Sequence, residues 1–181
     1  MYRLFVAIDL PEEVKRGVAG ITGNLPGARW VPGNQLHLTL RFIGEADEAL
    51  FQAIKTILTG VRGASFSLAL KGVGHFPPGK YPRVLWVGME QSGPLLELQH
   101  AVESALAAAG IAPDERRFSP HITLARLKET PAAAVAACEE RFGAFRAEPF
   151  PVEEFHLYSS TLTREGAIHT REASYPLMTG D

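Results

Sequence analysis

His37-Leu38-Thr39-Leu40 returns later in the chain as His121-Ile122-Thr123-Leu124. Read as β-strand, each copy puts His and Thr on one face, because side chains alternate and positions i and i+2 share a side. The apolar residues between them turn the other way, into a core. Each copy therefore offers an imidazole and a hydroxyl to one surface, and two such strands face to face give two of each. A neutral imidazole accepts a proton and a charged one donates it. An unperturbed pKa of about 6.5 lets a pair hold one of each near neutral pH. Phosphodiester cleavage needs this pairing, a base for the attacking oxygen and an acid for the leaving one. The two hydroxyls suit the non-bridging oxygens, where charge gathers.

The surroundings of the two copies repeat as well. Tyr2 to Asp9 is rich in β-formers and reads as a buried strand. Pro11-Glu12-Glu13 starts a helix, with acids in the first turn against the dipole. Arg29 to Pro32 is a short extended piece, and Leu36 to Ile43 is the first motif strand, ended by Gly44. Asp47 to Leu58 has a helical period. Phe66 to Leu70 alternates as a strand, and the turn Phe76-Pro77-Pro78-Gly79 leads into a return strand, Arg83 to Met89. A long Ala/Leu helix, Pro94 to Ala109, precedes the second motif strand, His121 to Leu127. After it come a helix over Pro131 to Phe142 and strands over Phe150 to Ser160 and Ile168 to Leu177. Helix, motif strand, helix, strand, strand thus runs twice. The expected fold is α+β and bilobal: two similar antiparallel-sheet lobes flanked by helices around a central cleft, related by a pseudo-two-fold axis. With no linker visible, residues 1–181 read as a single bilobal domain. A cleft between lobes is a common place for a small-ligand site.

Composition narrows the function classes. The net charge of −2 excludes a general nucleic-acid coat, so contact with nucleic acid is expected to be local. A single cysteine, Cys138, leaves no intramolecular disulfide and no Cys-based zinc site, in keeping with a reducing cytosol. The N-terminal apolar run is too short for a signal peptide, and no run approaches membrane-spanning length. A soluble cytoplasmic protein is expected. No exposed apolar stripe demands a partner, so a monomer is expected too.

Other chemistries fit less well. Two histidines supply two metal ligands, and neither motif adds a carboxylate or thiolate on its face. No metal and no cofactor is therefore expected. Ser119 precedes the second motif but with Pro120 shapes its loop. Cys138 stands beside Glu139 and Glu140, which oppose a thiolate.

The motifs resemble those of the two-histidine (2H) phosphoesterases, in particular the RNA 2′,3′-cyclic phosphodiesterases, historically called 2′-5′ RNA ligases. The resemblance rests on Arg3 to Pro11, Leu36 to Gly44, Phe118 to Arg126 and Phe155 to Ser160, and so runs along nearly the whole chain. It implies hydrolysis of a terminal 2′,3′-cyclic phosphate on RNA, or of a nucleotide carrying one, to a 2′-phosphate. His37 is similar to the family's proton donor to the leaving 3′-oxygen, and His121 to the acceptor of the water proton. Thr39 and Thr123 are similar to the residues that hold the phosphate oxygens. Such a site also joins a 5′-hydroxyl to a cyclic phosphate, as a 2′-5′ ligase. The motifs are too alike for sequence alone to assign the two roles.

Arg126 and Phe42 each stand five residues after a motif histidine, so on a regular strand they face away. Arg126 reads as a phosphate contact, if a bend returns it to the site, or as a solvated charge. Phe42 reads as a core aromatic or a base-stacking ring. Lys80 and Arg83 flank the hairpin turn and read as surface charge or RNA-backbone contacts. His75, His100, His156 and His169 lack a Thr two residues on and are read as non-catalytic. Trp30 and Trp86 are read as core. Two other functions remain open: a 2H phosphodiesterase of small cyclic nucleotides or 2′-5′ oligonucleotides, and a non-catalytic nucleotide- or tRNA-binding module.

Overall fold

Strand β1 (Tyr2–Asp9) is covered on both faces, with Leu4 to Ile8 all buried, which is why its sequence runs apolar without alternation. The structure is a computed structural model describing residues 1–179; Gly180 and Asp181 lie outside the described residues. After β1 come α1 (Glu12–Ala19), β2 (Ala28–Trp30), β3 (His37–Ala46), α2 (Glu48–Ile57), β4 (Phe66–Leu68), β5 (Leu70–Phe76) and β6 (Val84–Met89). Then follow α3 (Gly93–Ala108), β7 (Ile122–Leu127), α4 (Ala132–Phe142), β8 (Phe150–Val152), β9 (Glu154–Thr163) and β10 (Gly166–Pro176). Two helices carry side-chain caps: Asp47 accepts from the Leu50 amide at 2.8 Å and Ser92 from the Leu95 amide at 3.2 Å.

The strands lie in the order β10-β9-β1-β3-β7-β6-β5, all neighbours antiparallel, with β2 also on β7. The path is thin at one place. β3 and β7 meet in a single register pair, Leu38 with Ile122, both fully buried. That pair divides the sheet into two lobes, β10-β9-β1-β3 and β2-β7-β6-β5. Helices α2 and α3 pack behind the first lobe, and α4 packs on β5 of the second. The α+β, two-lobed architecture matches the sequence reading.

The lobes are not the two halves of the chain. Each half ends in a hairpin, and each hairpin joins the other half's motif strand. The β5–β6 hairpin pairs with β7, and the β9–β10 hairpin reaches β3 through β1. Long-range pairing of this kind leaves no local mark in sequence.

Three boundaries differ from expectation. Gly44 does not end the first motif strand. It sits inside β3 at φ 97, where the register with β1 slips by one residue, a glycine bulge. Phe66 to Leu70 is two strands: β4 pairs with β8 in a separate small sheet, while Leu70 opens β5. The Gly72-Val73-Gly74 stretch of β5 hid it, lacking apolar alternation. Gly74 is required there, because a Cβ on it would stand 2.3 Å from the Trp86 ring. Phe150 to Ser160 likewise divides into β8 and β9.

Candidate active site

The Leu38–Ile122 pair sets the site. Both side chains point into the core, so His37, Thr39, His121 and Thr123 face the opposite way, into the cleft. Antiparallel register around the pair puts His37 on the side of Thr123 and His121 on the side of Thr39. The pseudo-two-fold axis passes between these four residues.

Each imidazole is oriented by the backbone just ahead of it. His37 Nδ1 is 2.7 Å from the Gln35 carbonyl oxygen, and His121 Nδ1 is 2.8 Å from that of Ser119. A carbonyl only accepts, so Nδ1 carries the proton in both rings and Nε2 is the free lone pair. His37 Nε2 accepts from the Thr39 hydroxyl at 3.0 Å.

Both motif strands bulge at the motif's fourth residue. Ala7 pairs with Thr39 and Val6 with Arg41, skipping Leu40; Trp86 pairs with Thr123 and Leu85 with Ala125, skipping Leu124. The extra residue flips the alternation. Phe42 and Arg126, which face away on a regular strand, therefore return to the face of the histidines. Phe42 is 46% exposed and is not a core residue. Arg126 is exposed as well. Arg41, displaced to the helix side, is buried and donates to Glu103 on α3 at 2.5 Å and to the Phe42 carbonyl at 2.9 Å.

Aromatic rings back each imidazole. Phe5 stacks on His37 at 5.0 Å and on Tyr158 at 5.2 Å. Phe76 meets His121 edge-on at 5.0 Å and Trp86 at 5.3 Å. Trp30 packs against the core as expected, whereas Trp86 pairs with Thr123 and shares its cleft face. His169, read from sequence as non-catalytic, lies edge-on to His37 at 5.3 Å. It lines a cavity of about 270 Å³ beside His37, together with Asp9, Lys15, Tyr158 and Arg171. Asp9 ties this wall together, 2.9 Å from Lys15 and 2.6 Å from Arg171. The usable signal was His169-Thr170-Arg171, which on a strand sets His and Arg on one face. His156 is buried with Nδ1 2.9 Å from the Ser174 hydroxyl, and His75 is bonded to Glu139, so both have structural partners.

Burial favours the neutral form of both motif imidazoles. It brings the His37 pKa down to about 4, against opposition from the Gln35 carbonyl and Asp9. His121 is also lowered, by burial and then by Arg126, against the Ser119 carbonyl. Among the described residues no three His, Cys, Asp or Glu side chains gather to hold a metal, and no helix is long and apolar enough to cross a membrane.

A family model described as the 2′-5′ RNA ligase superfamily matches residues 10–164. The chain belongs to this superfamily. It is 38% identical to an RNA 2′,3′-cyclic phosphodiesterase of Thermotoga maritima, over 92% of this chain and 91% of that protein. It is 34% identical to the Escherichia coli protein of the same name, over 93% of this chain and 92% of the other. Among solved structures, a phosphoesterase superposes with a TM-score of 0.78 at 30% identity, covering 98% of each chain. Escherichia coli LigT complexed with 3′-AMP gives 0.76 at 29% identity, covering 97% of this chain and 98% of that one. Superfamily membership and fold thus agree with the resemblance read from the two motifs.

Proposed function

We propose that the protein is an RNA 2′,3′-cyclic phosphodiesterase that opens a terminal cyclic phosphate to a 2′-phosphate, using His37 and His121 as its acid and base. The observation that carries this reading is the duplicated His/Thr face on either side of the Leu38–Ile122 junction, with both Nε2 atoms on the cleft side. The names of the relatives support the substrate class.

Water attacks phosphorus and gives its proton to His121 Nε2. The bond from phosphorus to the 3′-oxygen breaks, and that oxygen takes the proton from His37 Nε2. The Thr39 and Thr123 hydroxyls donate to the non-bridging oxygens. Arg126 adds charge on the His121 side, and Phe42 offers a ring at the rim. With a 5′-hydroxyl in place of water, His121 takes the hydroxyl proton, His37 still protonates the leaving 3′-oxygen, and the product is a 2′-5′ linkage.

The resemblance to the family carries this division of roles. Around His37 the Asp9 carboxylate favours a proton while His169 and Lys15 oppose one, and around His121 Arg126 opposes one. His37 is also the more buried, so the field of an incoming phosphate is screened least there. Substrate itself thus loads the acid. The reading extends to residues 1–181 as one domain, acting as a cytoplasmic monomer on RNA ends.

The test is cleavage of a short RNA ending in a 2′,3′-cyclic phosphate, in excess EDTA, with the product phosphate located. A 2′-phosphate formed without metal supports the reading. Activity abolished by chelator, or a 3′-phosphate product, overturns it.

A further inference from the structure

We propose that the cavity of about 410 Å³ between the β5–β6 turn and the outer end of β7 is a second RNA subsite, holding a phosphate and a base upstream of the reacting end. The proposal deepens the phosphodiesterase reading and rests on it for the identity of the strand. It makes the preferred substrate an RNA several nucleotides long rather than a cyclic mononucleotide.

Three observations converge on this cavity. Its walls include Tyr81, Arg83, Lys128, Glu129 and Thr130. Tyr81 is 81% exposed, an aromatic face open to solvent where a base can stack. Arg83 and Lys128 set two cations against the one carboxylate of Glu129. None of the three forms a salt bridge among the described residues, although eight such contacts occur elsewhere. In a chain of net charge −2, this is a local positive site of the kind that recognises a phosphate.

The loop that forms the far wall is shaped rather than slack. The Lys128 amide donates to the Gly27 carbonyl at 3.1 Å, and Glu129 is held at φ 53, a left-handed conformation uncommon for a residue with a Cβ. Gly27, at φ 81, leaves the room this needs, because a Cβ there would fall 2.0 Å from the Lys128 oxygen.

Position along β7 supplies the connection to the site. At a rise of ~3.3 Å per residue, Lys128 lies roughly 20 Å from His121. Arg126, returned to the His121 face by the Leu124 bulge, stands between them. A mononucleotide does not span that distance; a strand leading away from the cyclic end does.

The experiment pairs binding with turnover. A fluorescent RNA of ~8 nucleotides with a plain 3′-hydroxyl is titrated by anisotropy into wild type, Tyr81→Ala, Arg83→Gln/Lys128→Gln and Thr130→Val. Cleavage is measured on the same RNA carrying a 2′,3′-cyclic phosphate and on a 2′,3′-cyclic mononucleotide. Tyr81→Ala and the double variant are each expected to weaken RNA binding on the order of tenfold. The double variant is also expected to flatten the salt dependence by ~0.7 per lost phosphate contact. Mononucleotide turnover is expected to stay as in wild type. Thr130→Val is expected to leave RNA binding as in wild type, because that hydroxyl has almost no accessible surface. Unchanged RNA affinity in the Tyr81 and double variants overturns the proposal, as does an equal loss on both cleavage substrates. Variant-sensitive binding with no cleavage by wild type keeps this subsite and sinks the phosphodiesterase reading instead.

Discussion

The two motif strands match almost residue for residue and differ in what stands around them. On the β3 side, His37 lies under Phe5, beside His169, with both the Asp9 carboxylate and the Lys15 ammonium in its field. On the β7 side, His121 meets the edge of Phe76 and has a guanidinium, Arg126, as its charged neighbour. Both rings use the same carbonyl two residues back, both strands bulge at the same motif position, and both keep Nε2 for the cleft. Duplication therefore supplies the geometry of the site, and the neighbours give the two imidazoles different surroundings. A symmetric frame with asymmetric electrostatics suits a reaction in which two oxygens on phosphorus need opposite treatment.

Breaking either side should have the largest effect. His37→Ala and His121→Ala are each expected to lower kcat by ~10²–10⁴, with the double variant little worse than either, since the two act as a unit. Single-turnover kinetics on a cyclic-phosphate RNA measures this. A loss confined to one of them would end the two-imidazole mechanism. Next come the hydroxyls: Thr39→Val and Thr123→Val should each cost about tenfold to a hundredfold in kcat. Thr39→Val should also free His37 Nε2, a change visible by imidazole NMR and without counterpart in Thr123→Val.

Arg126→Gln sharpens the comparison further. It should weaken transition-state binding by about tenfold and move the His121 pKa upward, because a cation opposing its protonation is gone. The acid limb of kcat/KM should shift to higher pH in this variant and stay in place in Phe42→Ala. In wild type, the proton His37 needs is lost from the free enzyme as pH rises through about 4. The kcat/KM profile, which reports the free enzyme, should therefore fall at lower pH than the kcat profile, which reports the phosphate complex. Superimposed profiles would contradict the idea that substrate loads the acid.

The smallest effect is on stability. His37 has a lower pKa folded than its ordinary 6.5, so the unfolded chain binds the extra proton as pH drops. The contribution is fully present above about 6.5 and is lost as pH falls to about 4. The melting temperature of wild type should decline over that window, and His37→Asn should flatten the decline. A flat wild-type curve would mean the imidazole is not desolvated.

Much of this was legible in the sequence because it was local. The duplicated motif, the helices after Asp47 and Pro94, and the run Tyr2–Asp9 state their structures within a few residues. What was hidden depended on distant pairing. The Leu40 and Leu124 bulges appear as apolar residues continuing a pattern, and only the partner strands reveal the slip that brings Phe42 and Arg126 back. His169 reaches His37 because the β9–β10 hairpin crosses to the first lobe. Arg41, a charge within the motif strand, is buried against Glu103, an ion pair formed across 62 positions of the chain.

The central claim is that one motif plays two roles in two different surroundings, and protonation of the two imidazoles tests it most directly. With ¹⁵N-labelled histidine, both rings can be followed by NMR against pH, in the free protein and with a 2′-phosphate nucleotide bound. The account predicts both rings neutral at pH 7 in the free protein, and a proton appearing on His37 but not on His121 once the phosphate binds. Protonation of His121 first, or of neither ring, would contradict it.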